Sequence, residues 1–161
     1  MQVSILGKND RLSKAEVRDY LDFLSDMLLS PRMSKSIKVT VKCQPIKKYK
    51  GFCMSVDDGY SVKPREFLIE LDTKQSKASQ LKTLAHEMVH VKQYAKGELA
   101  DLNRQNKVKF NKKKYSVDTF YWLQPWEIEA YGYEYGLYRM YRGIKNWKQN
   151  KAKARQKYNL T

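Results

Sequence analysis

Residues 86–90 read His-Glu-Met-Val-His, the pattern H-E-x-x-H, and they hold the side chains of this chain best suited to chemistry. His86 and His90 are the only two histidines in the sequence. On a helix, residues four apart lie about one turn apart on one face, so both imidazoles can bind one zinc ion. Glu87 lies about 100° around the helix and can reach a water on that metal as general base. The plainer alternative is a surface helix with two histidines and a salt-bridging glutamate.

A catalytic zinc site of this kind takes three protein ligands, so the two histidines leave one position to fill. Because the chain has no third histidine, the third ligand is a carboxylate or a cysteine. The downstream acids best placed for this are Asp118, Glu127 and Glu129. The two glutamates are favoured, because a second helix beginning at Pro125 can hold them rigidly against the first. They point about 200° apart, and Glu127 is preferred because it shares its face with the small Ala130, which leaves Glu129 as a supporting or surface acid.

The histidine pattern is predicted to lie in the middle of a helix of about 18–20 residues. Ser76 and Ser79 are both suitable N-caps for this helix, and Gly97 is a suitable C-terminal stop. Three strands are predicted ahead of it from alternating apolar and polar residues: 37–43, 52–56 and 66–72. A turn is predicted at 57–59, after the second strand. The third strand is expected to form the upper rim of a cleft and to present its edge to an extended peptide.

Two further helices frame this region. An N-terminal amphipathic helix is predicted from the capping-box pattern at 13–16 and is expected to end at Pro31. Its apolar residues recur at steps of three and four: Val17, Tyr20, Leu21, Leu24, Met27 and Leu28. In the C-terminal glutamate helix, Gly132 and Gly136 indicate a bare face that another helix can approach closely. Together the elements predict one α+β domain over residues 1–161, with a small twisted sheet and these three helices.

The chain carries a formal net charge of +15, from 32 basic and 17 acidic residues. Two stretches hold six and eight of the basic residues and no acidic one: 104–114 and 139–157, the second overlapping a basic tail at 143–161. This asymmetry predicts attraction to polyanions, such as non-specific nucleic acid or an acidic protein surface. A lysine-rich composition that serves only solubility is an equally simple explanation.

Neither a signal peptide nor a membrane span is visible in the sequence. The N-terminus lacks a charged segment followed by a long apolar run, and no apolar stretch reaches the length of about 20 residues that a membrane span needs. Cys43 and Cys53 are interpreted as reduced, small apolar residues. These features predict a cytoplasmic protein that does not contact membranes, and we expect a monomer.

Two segments, His86-Glu87-Met88-Val89-His90 and Pro125-Trp126-Glu127-Ile128-Glu129-Ala130, resemble the small gluzincin-type zinc metallopeptidases, including minimal forms in bacteria and phages. In that family a glutamate in an E-x-x-A helix completes the His-His-Glu zinc site, and Glu127 matches it. The resemblance covers about residues 65–140 and implies a zincin-like fold, one Zn²⁺ per chain and a protein or peptide substrate. In size and charge the chain is also similar to SprT-like proteases that act on DNA-bound proteins, although those use a third histidine.

The sequence thus predicts a zinc metalloendopeptidase with His86, His90 and Glu127 as metal ligands and Glu87 as general base. A tyrosine is expected to stabilise the oxyanion, and the sequence offers four candidates without choosing among them: Tyr115, Tyr121, Tyr131 and Tyr138. The alternative is a basic nucleic-acid-binding or interaction protein whose zinc site is structural or vestigial. The glutamate next to the first histidine favours the enzyme, because a structural site needs no general base.

Overall fold

The fold of the chain is α+β, as the sequence predicts, in a computed structural model that describes residues 1–57, 63–102 and 105–158, with side chains as far as Lys145. In chain order the elements are β1 (Gln2–Gly7), α1 (Lys14–Leu28), α2 (Pro31–Ser36), β2 (Lys38–Gln44), β3 (Gly51–Ser55), β4 (Glu66–Asp72), α3 (Lys77–Lys96), β5 (Leu99–Leu102), β6 (Lys107–Phe110), β7 (Lys113–Ser116) and α4 (Pro125–Tyr158). The turn predicted at 57–59 lies mostly outside the described residues. None of the helices in the described ranges is both long and apolar enough to cross a membrane.

Four strands form the main sheet, in the order β1-β2-β4-β3. β1, β2 and β4 run parallel, and β3 pairs antiparallel with β4 at one edge. β2, β3 and β4 confirm the three predicted strands to within one residue at each end. β1 was not predicted, although Val3 and Ile5 are buried in alternation with exposed residues, as a half-buried strand requires.

The prediction that the 66–72 strand presents its edge to the cleft is wrong. This strand is β4, and it lies inside the sheet between β2 and β3. Its backbone groups are therefore engaged in ladders on both sides, parallel with β2 and antiparallel with β3. The strand at the edge of the sheet is β3, which has β4 on one side and no second strand partner among the described residues.

α1 begins at the predicted capping box and contributes one buried face to the main core. The Ser13 hydroxyl accepts a hydrogen bond from the Glu16 N–H, and the Glu16 carboxylate accepts one from the Ser13 N–H. The predicted apolar face is buried except for Met27, which is 45% exposed. Pro31 lies beyond the end of α1 and is also the first residue of α2. Ser30 is the N-cap of α2.

α4 begins at the predicted Pro125, runs for 34 residues and packs against α3. The expectation that Gly132 and Gly136 admit another helix is wrong for the described structure. A Cβ atom added at either glycine would meet no neighbouring atom within 4 Å. The contacts of α4 with the main core come from larger residues and one alanine on another face: Ala130, Leu137 and Tyr141.

β5, β6 and β7 form a small antiparallel sheet that includes most of the basic stretch 104–114. A tight turn joins β6 to β7, with Asn111 and Lys112 at positive φ. The sheet packs around a second, small cluster of buried side chains: Leu99, Phe110 and Trp126. Arg104 lies outside the described residues, and so do the side chains of the 139–157 stretch beyond Lys145, although its backbone is helical.

Candidate metal centre

The H-E-x-x-H residues lie in the middle of α3, a helix of 20 residues whose two ends have clear local causes. At the start, the Ser76 hydroxyl accepts a hydrogen bond from the Ser79 N–H at 3.2 Å. At the end, Gly97 takes a φ of 73°, the left-handed conformation that glycine adopts readily. His86 and His90 are only 7% and 8% exposed, so a surface helix with two solvated histidines does not describe this site.

α4 brings Glu127 from its first turn to both histidines. Glu127 Oε2 is 3.1 Å from His86 Nε2, Glu127 Oε1 is 3.3 Å from His90 Nε2, and the two Nε2 atoms are 3.2 Å apart. Ligand atoms about 2.0–2.1 Å from one tetrahedral zinc ion are separated by about 3.3–3.4 Å. The helices can come this close because Ala130, one turn beyond Glu127, is fully buried and small. The three residues therefore form a group that can hold one metal ion.

The side chain of Gln93 sets the orientation of His90. Gln93 is fully buried, and its Nε2 donates hydrogen bonds to the Trp126 carbonyl at 3.0 Å and to Glu129 Oε2 at 2.9 Å. Both of these groups only accept, so the amide nitrogen faces them and Gln93 Oε1 faces His90 Nδ1, 2.9 Å away. An amide oxygen requires a proton on Nδ1, which leaves His90 Nε2 with a lone pair directed at the metal site.

His86 is oriented in the same way by an acid from further along α4. Glu134 Oε2 lies 3.3 Å from His86 Nδ1, on the side of the ring away from Glu127. A proton on Nδ1 again leaves Nε2 with a free lone pair. With both tautomers fixed, two imidazole nitrogens and a carboxylate oxygen face one another as acceptors, and a cation among them relieves the repulsion. The donor set therefore fits a bound metal ion on chemical grounds as well as by distance.

Without a metal, a second proton on His86 supplies the positive charge. Burial opposes that charge, but hydrogen bonds to Glu127 and Glu134 outweigh it and raise the pKa of His86 to about 9. Burial also opposes ionisation of Glu127, and there the two histidines outweigh it and hold the pKa of Glu127 well below its usual range. The three side chains therefore stabilise a positive charge at the centre of the group, and either an added proton or a metal ion can supply that charge.

Glu87 lies beside this group and faces the same cleft. It is 5% exposed, and burial raises the pKa of its carboxyl to about 7, a value suited to a general base near neutral pH. It takes part in none of the ion pairs found among the described residues, so the salt-bridging role considered for it is absent. The backbone of β3 passes directly over it, because a Cβ atom on Gly51 would lie 2.8 Å from Glu87 Oε1.

Two of the four candidate tyrosines lie at the site. Tyr121 donates a hydrogen bond to Glu127 Oε2 at 2.7 Å, and the Tyr131 ring stands edge-on to the His86 ring with centroids 4.6 Å apart. Burial, Tyr131 and Glu127 raise the pKa of Tyr121 far above its usual value, so its hydroxyl stays protonated. The other two lie elsewhere, since Tyr115 packs on Trp126 and Tyr138 packs against the main core.

The remaining candidate ligands lie outside the metal group. Glu129 forms an ion pair with Lys92 at 2.6 Å and accepts from Gln93, which makes it a supporting acid behind His90. Asp118 lies in the turn after β7, where its N–H donates to Ser116 Oγ. Cys53 lines the cleft, but burial raises the pKa of its thiol well above the usual value, which disfavours the thiolate that a metal ligand requires.

The cleft over the metal group has two lobes that share Tyr49, Gly51, His86, Glu87 and Tyr121 in their walls. The first, which we call the aromatic lobe, has a volume of about 420 Å³ and is also lined by Phe52, Cys53, His90, Tyr94, Leu99, Trp126 and Glu127. The second, which we call the lysine lobe, has a volume of about 410 Å³ and is also lined by Lys50, Ser79, Lys82, Thr83, Trp122, Tyr131 and Glu134. The histidines and Glu87 thus lie where the two lobes meet.

Gln93 and Glu134 are the site residues that the sequence analysis did not assign. Glu134 follows Glu127 by seven residues, about two helical turns, and so lies on the same face of α4. Gln93 follows His90 by three residues on α3, which is also a same-face spacing. These spacings were the available signals, but several other polar residues in the chain satisfy them equally well.

Comparisons with known protein families, with curated protein sequences and with solved structures give no significant match to this chain. No family is therefore assigned to it on the basis of similarity. The geometry and chemistry of the cleft are what support a function.

Proposed function

We propose that this chain is a zinc-dependent endopeptidase of the gluzincin type, with a zincin-like arrangement of its sheet and helices. The observation that supports this best is the triangle of His86 Nε2, His90 Nε2 and a Glu127 carboxylate, with sides of 3.1–3.3 Å, in the wall of an open cleft. Two imidazoles and one carboxylate are a donor set that catalytic zinc sites use, and they leave a fourth position for water or substrate. A purely structural site is closed by four protein ligands instead.

In the proposed reaction, His86, His90 and Glu127 would hold a zinc ion, which as a Lewis acid would acidify a water molecule and polarise the scissile carbonyl. Glu87 accepts a proton from the attacking water and delivers it to the nitrogen of the leaving amine. Burial raises its pKa to about 7 in the metal-free protein, and the positive charge of a bound zinc ion would favour the carboxylate form that accepts the proton. Gln93 and Glu134 keep the two imidazoles in the tautomer that the metal requires.

The position of β3 supports an extended peptide as substrate. This edge strand borders both lobes of the cleft through Gly51, and Phe52 and Cys53 continue along the aromatic lobe. A peptide that adds to the outer edge of β3 can bring a backbone carbonyl over the metal group. Across the cleft, the Tyr121 hydroxyl donates its one proton to Glu127 Oε2 at 2.7 Å, so it would become a donor to the oxygen of that carbonyl only by turning away from Glu127.

The proposal is tested with zinc-loaded parent protein and the variant Glu87→Gln, on casein and on a mixed peptide library. Metal analysis is expected to give about one zinc per chain in both proteins, because the three ligands are unchanged. Gln keeps the shape of Glu but cannot accept the proton, so cleavage by the variant is expected to fall at least 100-fold. Equal cleavage by both proteins would remove Glu87 from the mechanism, and absence of zinc from both would remove the metal site.

A further inference from the structure

We infer that the cleft selects peptides with an apolar or aromatic side chain on one side of the scissile bond and an acidic side chain, within two residues, on the other. This specificity rests on the proposed peptidase function, because the scissile bond is taken to lie over the metal group. The evidence for this specificity is the difference in chemistry between the two lobes, which meet at the metal group.

The aromatic lobe is suited to an apolar side chain. Apart from the metal-site residues, its walls are aromatic rings, a leucine, a glycine and a buried thiol, with no lysine or arginine among them. Phe52 is 46% exposed there, while Leu99 and Trp126 are almost fully buried and form a fixed floor. A volume of about 420 Å³ is enough for one large side chain, and burial of an apolar group in it is favourable.

The lysine lobe is suited to a carboxylate. Lys50 and Lys82 both line it, and neither has a carboxylate within ion-pair distance among the described residues. Lys82 is partly buried, and a partly buried ammonium group gains from an anionic partner. Two acids line this lobe: Glu134, whose carboxylate is engaged with His86 Nδ1 at 3.3 Å, and Glu87, the proposed general base, which lies where the two lobes meet.

The two lysines lie within reach of residues close to the scissile bond. Lys82 precedes His86 by one turn of α3, a rise of about 6 Å along the helix. Lys50 directly precedes Gly51, which is the point of β3 nearest to Glu87. A peptide extended along β3 advances by about 3.3 Å per residue, so its first or second side chain beyond the scissile bond faces this lobe.

The net positive charge of the chain also favours the binding of acidic peptides. A charge of +15 raises the local concentration of acidic peptides around the protein and speeds their encounter with it. The basic residues that produce this charge lie along the whole chain, with fourteen of them in the stretches 104–114 and 139–157, whereas Lys50 and Lys82 line the cleft itself. Substitution of single lysines in the cleft therefore separates selection by the lysine lobe from the general electrostatic attraction of the chain.

The test measures peptide binding by the zinc-loaded full chain carrying Glu87→Gln, with fluorescence anisotropy as readout. The labelled peptides have one central Phe and either Asp or Lys at the two positions before it or after it. In one orientation the Asp peptide is expected to bind at least fivefold tighter than the Lys peptide, the effect of a good charge pair at a partly exposed position. Replacement of Phe by Asn is expected to weaken binding at least fivefold.

Lys82→Glu is expected to abolish or reverse the preference for Asp. The matched control is Lys35→Glu, an equal change of charge at an exposed position of α2, and it is expected to leave the preference in place. If Lys82→Glu does not fold, Lys50→Glu at an exposed position replaces it. An Asp preference that is equal in the cleft variants and in the control would overturn the inference, since net charge alone would then explain it.

Two outcomes separate this inference from the peptidase proposal. If the parent protein cleaves peptides in the library without any preference for Asp or Glu, the specificity is wrong and the enzyme function stands. If the parent cleaves no peptide, while the Glu87→Gln protein binds Asp peptides in a manner that depends on Lys82, the enzyme function is wrong and the cleft is an acidic-peptide-binding site.

Discussion

Two side chains outside the metal group fix the orientation and the tautomer of the histidine rings. Gln93 Oε1 accepts from His90 Nδ1, and Glu134 Oε2 accepts from His86 Nδ1. Without these contacts each ring has two tautomers and can rotate, and a metal ion would have to order it on binding. Gln93 is itself held by the Trp126 carbonyl and by Glu129. The network therefore orders the ligands before a metal arrives, which increases affinity.

The raised pKa of His86 predicts how zinc affinity depends on pH. In the metal-free protein His86 is protonated below about pH 9, and zinc must displace that proton to reach Nε2. Between pH 7 and 9 the association constant is therefore expected to rise about tenfold per pH unit, and to level off above pH 9. Competition titrations against a chelator of known zinc affinity measure this dependence. An affinity that does not change from pH 7 to 8.5 would mean that His86 is neutral in the metal-free protein.

The sequence identifies the candidate metal ligands well, but it does not identify the side chains that orient them. His86, Glu87 and His90 could be selected because their spacing is a helical repeat with a known chemical use, and Glu127 because an alanine shares its face. Gln93 and Glu134 could not be selected, because their spacing is equally common among residues with no role. Which polar side chain reaches a ring nitrogen depends on the distance between α3 and α4, and that distance is a tertiary property.

Among the elements, β3 is the one whose position bears most directly on the proposed catalysis. A Cβ atom on Gly51 would lie 2.4 Å from Thr83 Cγ2 and 2.8 Å from Glu87 Oε1, so only glycine allows the strand to lie this close to α3. Gly51→Ala is expected to displace Glu87 or the strand and to lower kcat/KM at least tenfold. Zinc content is expected to stay at about one per chain, since the three ligands are not touched. Full activity with Ala at this position would show that the contact is not needed.

Gly136→Ala is the matched control, because it makes the same chemical change on a free face of α4. The added methyl group meets no neighbouring atom within 4 Å, and alanine favours the helix over glycine. We expect unchanged activity and an increase of about 0.5–1 kcal/mol in the free energy of unfolding, measured by urea denaturation. A loss of stability would indicate that a partner not visible in the described residues covers this face.

The same elements explain which parts of the fold could be predicted. Periodicity and capping gave α1, α3 and β2 to β4 with errors of a residue or two, because these signals are local. The order of strands in the sheet is not local. β3 follows β2 in the chain but lies beyond β4, and the edge that borders the cleft was therefore attributed to the wrong strand. The glycines of α4 were misread for a similar reason, since nothing in the sequence tells which helix face is covered.

Over the whole molecule, the small basic sheet lies beside the aromatic lobe of the cleft. Its buried cluster includes Leu99 and Trp126, and both residues also line that lobe. Several lysines of the hairpin are exposed: Lys107, Lys112, Lys113 and Lys114. A polyanion bound by the hairpin would therefore lie next to the place where we expect a substrate. This arrangement connects the peptidase proposal with the alternative of nucleic-acid binding. Nucleic-acid binding as a sole function would leave the buried carboxyl of Glu87 beside the metal group without a role.

If the charge serves nucleic acid, binding is expected to be independent of base sequence and sensitive to salt. The logarithm of the affinity for duplex DNA is then expected to fall linearly with the logarithm of salt concentration, at about −0.9 per phosphate neutralised. Lys112→Glu with Lys113→Glu, and separately truncation after Gly143, are each expected to weaken binding and to reduce that slope. Lys35→Glu is expected to change it little, because α2 lies near β1, at the edge of the main sheet opposite β3. Fluorescence anisotropy at several salt concentrations measures all four proteins. Binding that all variants weaken equally would indicate a general charge effect, and absence of binding at low salt would leave acidic peptides as the polyanions that this charge attracts.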